Sequence, residues 1–290
     1  MGVALCLIAV VLWGLIQIPI KLAKTPARVG LAISLPAALV ASALIVLVKG
    51  DLCVPELAAR DWYFIALMGV LHFSLASFGY LEAVQRAGIT TAAPITRFTP
   101  LIVVLLHAAI SRTPLSPWLT TAAVLVLAGG VLCTRGARQL HPVEHYGNLR
   151  LGMFLAVFAC FMWSGGYLAV GEISEDIPRS LVTLYGLAFG AVVYWIIVLA
   201  SGRAKALRRV SRRDVALYVT HGIASYALAY WALFEGIALL GLGQATVIAE
   251  CWPAAAVVVG IAVFREPMNL QKFLGTLVMI GSAILVIVLS

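Results

Sequence analysis

The sequence predicts an all-α integral membrane protein with ten transmembrane helices, built as two inverted five-helix repeats. Three observations support this fold class: an apolar composition, recurrent long apolar runs and an internal duplication. Of the 290 residues, 63% are hydrophobic and 11% are charged, and the mean hydropathy is +1.05. A water-soluble domain has too little interior to bury so much apolar surface. The chain is therefore predicted to lie in a lipid bilayer.

Apolar runs long enough to cross the hydrocarbon core recur along the whole chain. About 20 helical residues cross roughly 30 Å of hydrocarbon. The runs lack the alternating pattern of a barrel strand, and a helix satisfies its own backbone hydrogen bonds in lipid. The ten predicted spans lie near residues 3–20, 29–48, 62–84, 89–111, 117–134, 150–171, 180–200, 214–239, 244–264 and 270–289.

The two halves of the chain carry copies of the same segment. Residues 61–135 align without a gap on residues 214–288 when they are shifted by 153 positions. Leu12-Trp13-Gly14 is similarly echoed by Met162-Trp163-Ser164-Gly165. The polar, glycine and proline matches carry the most weight because both segments are otherwise mostly Leu, Ile, Val and Ala. These matches are Asp61/Asp214, Gly69/Gly222, Glu82/Glu235, Gly88/Gly241, Pro100/Pro253, Arg112/Arg265 and Pro114/Pro267.

The duplication predicts a first repeat at 1–138, a connecting loop at 139–149 and a second repeat at 150–290. With five helices per repeat, an odd number, the second copy enters the membrane from the opposite side. Inverted repeats are typical of secondary transporters, in which a site near the midplane opens alternately to the two sides. The alternative is that duplication only enlarged a helical bundle.

Two oppositely charged residues occupy equivalent positions deep in the spans. Arg97 and Glu250 coincide under the shift of 153, and each lies three residues before a proline, Pro100 or Pro253, which is predicted to loosen the helix. One hypothesis is that Arg97 binds a substrate carboxylate and Glu250 an ammonium group. The other is that the two residues form a buried ion pair. Glu250 is also a candidate for proton coupling.

Aromatic and polar residues elsewhere in the spans form a second group of candidate substrate-binding residues. Trp13 and Gln17 share a helix face at spacing i, i+4, as do Trp163 and Tyr167. Packing against lipid or other helices is the alternative for each of them. As a set they indicate an organic substrate with an apolar part. The other candidates are His72, Phe98, Tyr226, Tyr230 and Trp252.

Residues near the ends of the spans are given other roles. Glu82 and Glu235 are predicted to lie at the level of the lipid headgroups. His107 and His221 are interpreted as polar packing positions.

Several functional classes are disfavoured by the sequence. The net charge of +8 resides in short loops between spans, where it indicates membrane topology rather than nucleic-acid binding. Motifs for ATP hydrolysis, metalloproteases and serine hydrolases do not occur. His141, Glu144 and His145 lie in the connecting loop and are interpreted as solvated polar residues rather than a metal site. We therefore predict no cofactor, no metal and no enzymatic activity, with a membrane-embedded enzyme as the least favoured alternative.

The order of these residues resembles the EamA family of the drug/metabolite transporter superfamily. The resemblance rests on Trp13-Gly14 followed by Lys21, on Glu82-Ala83…Gly88…Pro100…Arg112-x-Pro114, and on the second copy ending in Phe264-Arg265-Glu266-Pro267. It implies a cavity lined by helices 1, 3, 4, 6, 8 and 9, with helices 5 and 10 at the periphery. Cys251-Trp252-Pro253 is similar to the Trp-Pro of aromatic amino-acid exporters, but in those the pair is expected in the first half.

The predicted function is secondary active export of a small organic metabolite, such as an amino acid, from a multi-pass protein of the plasma or inner membrane. The alternative is proton-coupled export of organic cations or drugs. The family resemblance implies cytoplasmic termini. The charge count predicts the reverse, because fifteen Lys and Arg residues fall on the side of the 201–213 loop and four on the other, which places that loop in the cytoplasm. Oligomeric state is left open.

Overall fold

The computed structural model describes residues 1–51, 57–87, 89–140, 148–202 and 204–289. Over these ranges the regular structure is entirely helical, and a short helix, Ala204–Leu207, follows the seventh segment. The segments are α1 (Gly2–Leu22), α2 (Ala27–Lys49), α3 (Ala59–Ala87), α4 (Ile89–Thr96 and Thr99–Ser111), α5 (Pro117–Leu140), α6 (Leu149–Gly171), α7 (Arg179–Ala200), α8 (Arg212–Leu240), α9 (Leu242–Phe264) and α10 (Leu270–Leu289).

The all-helical, multi-pass prediction is confirmed. Nine of the helical segments within the described ranges are long and apolar enough to cross a membrane, and Thr99–Ser111 of α4 is a shorter apolar helix. The connecting loop of residues 141–147, which holds His141, Glu144 and His145, lies outside the described residues, as does Gly88.

The duplication is visible in the helices at the same offset of 153 residues. α3 and α8 each contain a π-helical stretch, at Gly69–Ala76 and Gly222–Ala229. α4 and α9 each end at an arginine with positive φ, Arg112 at 52° and Arg265 at 53°. Because π-helical turns are rare and often occur at functional sites, their recurrence indicates that both copies retain one local design.

α4 and α9 are each interrupted next to a proline. Turns at Arg97 and Phe98 separate the two helices of α4, and Glu250 with Cys251 forms the corresponding turn in α9. Proline cannot donate the backbone hydrogen bond one turn back. In α4 the carbonyl freed in this way, that of Thr96, accepts a hydrogen bond of 2.8 Å from the Thr99 hydroxyl. Both charged residues therefore lie at helix breaks.

Glycines bring helices of the two halves into backbone contact. A Cβ atom added to Gly69 would lie 2.2 Å from the carbonyl oxygen of Gly186, which places α3 directly on α7. A Cβ atom on Gly222 would lie 2.2 Å from the carbonyl oxygen of Ser34, which places α8 equally close to α2. Small residues at such crossings permit the close packing on which helix association in lipid depends.

Aspartates at the start of α3 and α8 tie the halves together at opposite ends of the bundle. Asp61 accepts hydrogen bonds from the backbone nitrogen and hydroxyl of Ser174, at 3.0 and 2.8 Å. Asp214 accepts the corresponding bonds from Thr25, at 2.8 and 2.6 Å, and a longer one from the nitrogen of Lys24 at 3.3 Å. Each carboxylate therefore holds a loop of the other half.

We expect Gly69→Ala and Gly222→Ala each to lower the free energy of unfolding by about 1–3 kcal/mol, because the added methyl group has no space at the helix crossing. Thermal unfolding of the purified protein in detergent measures the change. Gly281→Ala is the matched control, since a Cβ atom there meets nothing within 4 Å. Equal stability of all three variants would contradict the packing described.

Candidate functional site: a cavity between the halves

A cavity of about 650 Å³ lies between the two halves. Its wall includes Trp13 of α1, Tyr80 of α3, Trp163 of α6, Tyr226 of α8 and Trp252 of α9. Most of the wall is apolar or aromatic, as is usual for sites that bind small organic molecules. Helices 5 and 10 are less peripheral than the family resemblance implied. The residues that they contribute to the wall are Gly130, Cys133, Thr134 and Lys272.

The cavity reaches one end of the bundle and is closed at the other. The end that holds Lys21, Asp214 and Glu266 is called the mouth end here, because Lys21 and Glu266 line the cavity and are partly exposed. The end that holds Asp61 and Ser174 is called the closed end.

Arg97 and Glu250 form an ion pair in the cavity wall. Arg97 Nη1 lies 2.9 Å from Glu250 Oε2, and the two residues are 4% and 8% exposed. The remaining guanidinium nitrogens bond Thr96 Oγ1 at 3.1 Å and, at 3.4 Å, the carbonyl oxygen of Ala93. The only ion-pair contact joins one nitrogen to one oxygen, so the geometry is not the bidentate form that arginine often makes with carboxylates.

Neighbouring residues make room for this buried pair. The Arg97 guanidinium lies over the Trp252 ring, 4.8 Å from its centroid, at a distance suited to a cation–π interaction. A Cβ atom at Gly130 would come within 2.5 Å of Arg97 Cγ, so a glycine is required beside the arginine stem. The Tyr167 hydroxyl lies beside the Glu250 carboxylate. These contacts compensate for the loss of water around both charges.

Aromatic rings form the wall next to the ion pair. Tyr226 and Tyr230 are stacked, with centroids 6.0 Å apart and an interplanar angle of 11°. Trp13 meets Tyr230 edge to face at 5.0 Å. Gln17 Nε2 donates a hydrogen bond of 3.1 Å to the carbonyl oxygen of Trp13. The rings therefore offer flat apolar surfaces within reach of hydrogen-bonding groups.

The structure brings most of the predicted site residues together. Nine of them line the cavity: Trp13, Gln17, Arg97, Trp163, Tyr167, Tyr226, Tyr230, Glu250 and Trp252.

His72 and Phe98 are the exceptions. His72 is fully buried behind the wall, where its Nε2 lies 3.0 Å from the Tyr230 hydroxyl. Phe98 is 45% exposed and lies outside the lining, because the turn that directs Arg97 inward directs its neighbour outward. Pro253 lines the cavity, whereas Pro100 is buried in α4.

Three charged residues that line the cavity near its mouth, Lys21, Glu266 and Lys272, were not among the predicted site residues. Lys21 donates to Glu266 and lies over the Phe264 ring at 4.2 Å. Lys272 approaches the same carboxylate at 3.4 Å. The hydrogen bond from Lys21, with the charges of Lys21 and Lys272, holds the pKa of Glu266 below its usual value. The sequence does not show which charged residues of the loops form ion pairs with one another, because this depends on the fold.

His221 also lines the cavity. Its assignment as a packing position was therefore incomplete. The residue lies about two helical turns along α8 from Asp214 of the mouth end.

Glu82, near the end of α3, is enclosed by protein. It is 3% exposed and pairs with Arg28 at 3.0 Å and Arg86 at 3.4 Å. Two cations neutralise the carboxylate, which explains why protein can enclose it at the helix end.

At the closed end, ion pairs link α2 to α8 and α3 to α6. Lys49 Nζ lies 2.5 Å from Glu235 Oε1, and Arg60 Nη2 lies 2.7 Å from Glu172 Oε2. None of these four residues lines the cavity. The pairs join the first half to the second at the end opposite the mouth.

Metal binding has no support in the part of the chain that the structure describes. No cluster of three or more His, Cys, Asp or Glu side chains suited to a metal ion occurs among those residues.

The helices and the cavity define a multi-pass membrane protein of two related halves around a central apolar chamber. The profile of the EamA-like transporter family matches residues 1–135 and 150–288. The chain therefore belongs to the EamA family, whose members are membrane transporters of the drug/metabolite transporter superfamily.

A solved structure shares this fold. A crystal structure titled only "Crystal structure of protein" gives a TM-score of 0.79 at 16% identity, covering 99% of this chain and 97% of that chain. The comparison with curated proteins gave no significant match.

We expect the contribution of Glu266 to stability to depend on pH. A carboxylate with a lowered pKa stabilises the folded state above its unfolded pKa, and this effect is lost as the pH falls through the folded pKa. At neutral pH Glu266→Gln should cost less than about 1 kcal/mol, since the pair with half-exposed Lys21 is screened by solvent. In acid the loss of stability caused by Glu266→Gln should disappear, because Glu266 is then protonated. Thermal unfolding at several pH values tests this, with Lys21→Met and the double variant isolating the pair. A cost that does not change with pH would contradict the assignment.

Proposed function

We propose that this protein is a secondary active transporter that exports a small zwitterionic metabolite, such as an amino acid, by alternating access. The observation that carries the proposal is the Arg97–Glu250 pair, which is buried in the cavity wall at equivalent positions of the two repeats. Charges inside a membrane are costly, and they commonly mark substrate pathways.

The geometry of the pair suits exchange with a zwitterion. A single contact of 2.9 Å joins the two side chains, and both line the cavity. A substrate carboxylate replaces Glu250 on the guanidinium while the substrate ammonium replaces Arg97 on the carboxylate. Every charge then keeps a partner, which avoids the cost of an unpaired ion in a low-dielectric site. The aromatic rings of Trp13 and Tyr230 provide contact for an apolar side chain.

We count α4 as one span despite its break, so that each repeat has five helices. Two inverted repeats of this kind provide the alternating access of the cavity to the two sides of the membrane. Asp61 and Asp214 hold loops of the opposite half at opposite ends of the bundle, which is the exchange that inverted repeats predict. The conformation described is open at the mouth end and closed by ion pairs at the other. In the second state the mouth end is closed and the opposite end is open.

The mouth end is assigned to the cytoplasm. The positive-inside rule favours this because the sequence predicts fifteen Lys and Arg residues on the side of the 201–213 loop, which corresponds to the mouth end, and four on the other. In this orientation the cavity is accessible to a cytoplasmic substrate, as export requires. The plasma or inner membrane is the proposed location, with both termini outside.

Proton-coupled export of organic cations is the second candidate. Glu250 lies in a wall rich in aromatic rings, and such rings bind organic cations through their faces. Flux of radiolabelled L-phenylalanine or tetraphenylphosphonium in proteoliposomes, with and without an imposed pH gradient, separates the two candidates.

We expect a cysteine introduced by Ser211→Cys, at the start of α8, to be protected from a membrane-impermeant maleimide in intact cells and labelled after permeabilisation. The reason is the predicted cytoplasmic position of the mouth end. Labelling in intact cells would reverse the proposed orientation.

We expect Arg97→Leu and Glu250→Leu each to cost about 3–5 kcal/mol of stability, because each leaves a buried charge without its partner. The double variant should recover much of this stability and still lack transport, since the substrate has lost both of its charged contacts. Unfolding temperature and proteoliposome flux are the two measurements. Phe98→Leu, next to Arg97 but outside the cavity, is the matched control. Transport by the double variant would show that the pair is only structural.

A further inference from the structure

His221 occupies a position on the cavity wall that the charged pair does not explain. It is 8% exposed and lines the cavity about two helical turns from Asp214 of the mouth end. The ring meets Tyr226 edge to face, at 5.4 Å, and its Nδ1 lies 3.0 Å from the hydroxyl of Ser34 on α2. These contacts fix the orientation of the imidazole.

The hydrogen bonds of Ser34 define the tautomer of this ring. Ser34 Oγ lies 2.8 Å from the carbonyl oxygen of Tyr218, which only accepts hydrogen bonds. The single hydroxyl hydrogen is used there, so Ser34 Oγ accepts from Nδ1–H of His221. Nε2 of the neutral ring then carries a lone pair.

This Nε2 is available to the cavity. Within the described ranges no side chain or backbone group bonds it, and it is not among the fully enclosed polar atoms that lack a partner. No described carboxylate pairs with the ring. His221 therefore offers a hydrogen-bond acceptor to a molecule in the cavity.

The duplication shows what the same position contains at the closed end. Met68 is the counterpart of His221 under the shift of 153. Gly186 corresponds to Ser34 by position in the fold, because Gly69 packs on Gly186 as its counterpart Gly222 packs on Ser34. A Cβ atom on Gly186 would lie 2.3 Å from Met68 Cε, so Met68 lies over Gly186 as His221 lies over Ser34. Met68 is 0% exposed. One packing position thus holds a thioether where the bundle is closed and an imidazole where it is open.

We propose that His221 is a subsite for a hydrogen-bond donor of the substrate, an ammonium, amide or hydroxyl group, and that filling this subsite permits the mouth to close. The inference rests on the proposed alternation of inverted repeats. When the mouth closes, His221 takes the enclosed environment that Met68 has now. An enclosed acceptor without a donor is unfavourable. Closure of the mouth is therefore unfavourable in the empty carrier. A bound substrate whose donor group bonds Nε2 of His221 removes this cost.

The experiment uses Met68→Cys as a reporter of the alternate state. A thiol at this site reacts with a polar maleimide only when the closed end opens, so its labelling rate follows the population of that state. His221→Met, which copies the counterpart residue, should raise the ligand-free rate at least about fivefold, because the enclosed acceptor is gone. His221→Gln, which retains an acceptor, should stay near the wild-type rate. His221→Phe replaces His221→Met if the latter does not fold.

Controls separate this inference from the proposed function. Native Cys6, which is 0% exposed, should label at an unchanged slow rate and so report intact folding. Lys49→Met with Glu235→Gln breaks a closed-end pair and should raise Met68→Cys labelling. If it does so while His221→Met has no effect, the His221 subsite is wrong. If none of these variants raises labelling, alternating access itself is contradicted.

A ligand comparison tests the chemistry of the subsite. L-phenylalanine should raise Met68→Cys labelling more than 3-phenylpropionate, which lacks the ammonium donor, and His221→Met should reduce that difference at least about fivefold. If His221→Met leaves the difference between the two ligands unchanged, the proposed subsite is wrong. No effect of L-phenylalanine on the otherwise wild-type protein would contradict the amino-acid substrate, and the ligand-free rates would still decide the role of His221.

Discussion

The buried contact between Arg97 and Glu250 constrains the assembly of the whole bundle. The two side chains come from different halves, and either one alone would be an uncompensated charge in a low-dielectric interior. The halves must therefore meet with the breaks of α4 and α9 facing each other. The proline positions, the absence of a side chain at Gly130 and the ring of Trp252 all serve this one contact.

The distribution of polarity follows from the same constraint. Charge is present at the two ends of the bundle and at the central pair, and aromatic or aliphatic surface fills the space between. At the closed end the ion pairs join different halves near the surface, where solvent keeps each pair weak. Each of these pairs therefore contributes little to stability on its own. The Arg97–Glu250 pair differs from these because both of its side chains are buried, so each charge depends on its partner.

Much of the fold and part of the site could be predicted from the sequence because hydropathy and the repeat act over long stretches. The shift of 153 residues identified Arg97 and Glu250 as equivalent, and helical spacing grouped Trp13 with Gln17. Phe98 and His72 show where this reasoning fails. A helix break reverses the direction of adjacent side chains, and a ring can lie one layer behind the wall. The π-helical turns and the meeting of Lys21 with Glu266 depend on tertiary contacts, which no local pattern encodes.

The two π-helical stretches show how alike the two copies have remained. The same rare backbone irregularity occurs at the same place in both, together with the left-handed arginines at the ends of α4 and α9. In a homodimer of two such copies, twofold symmetry would place the same residue at both equivalent positions. Identical subunits cannot set an arginine against a glutamate there. The joining of both copies in one chain is therefore what allows each of them to carry its own half of the central pair.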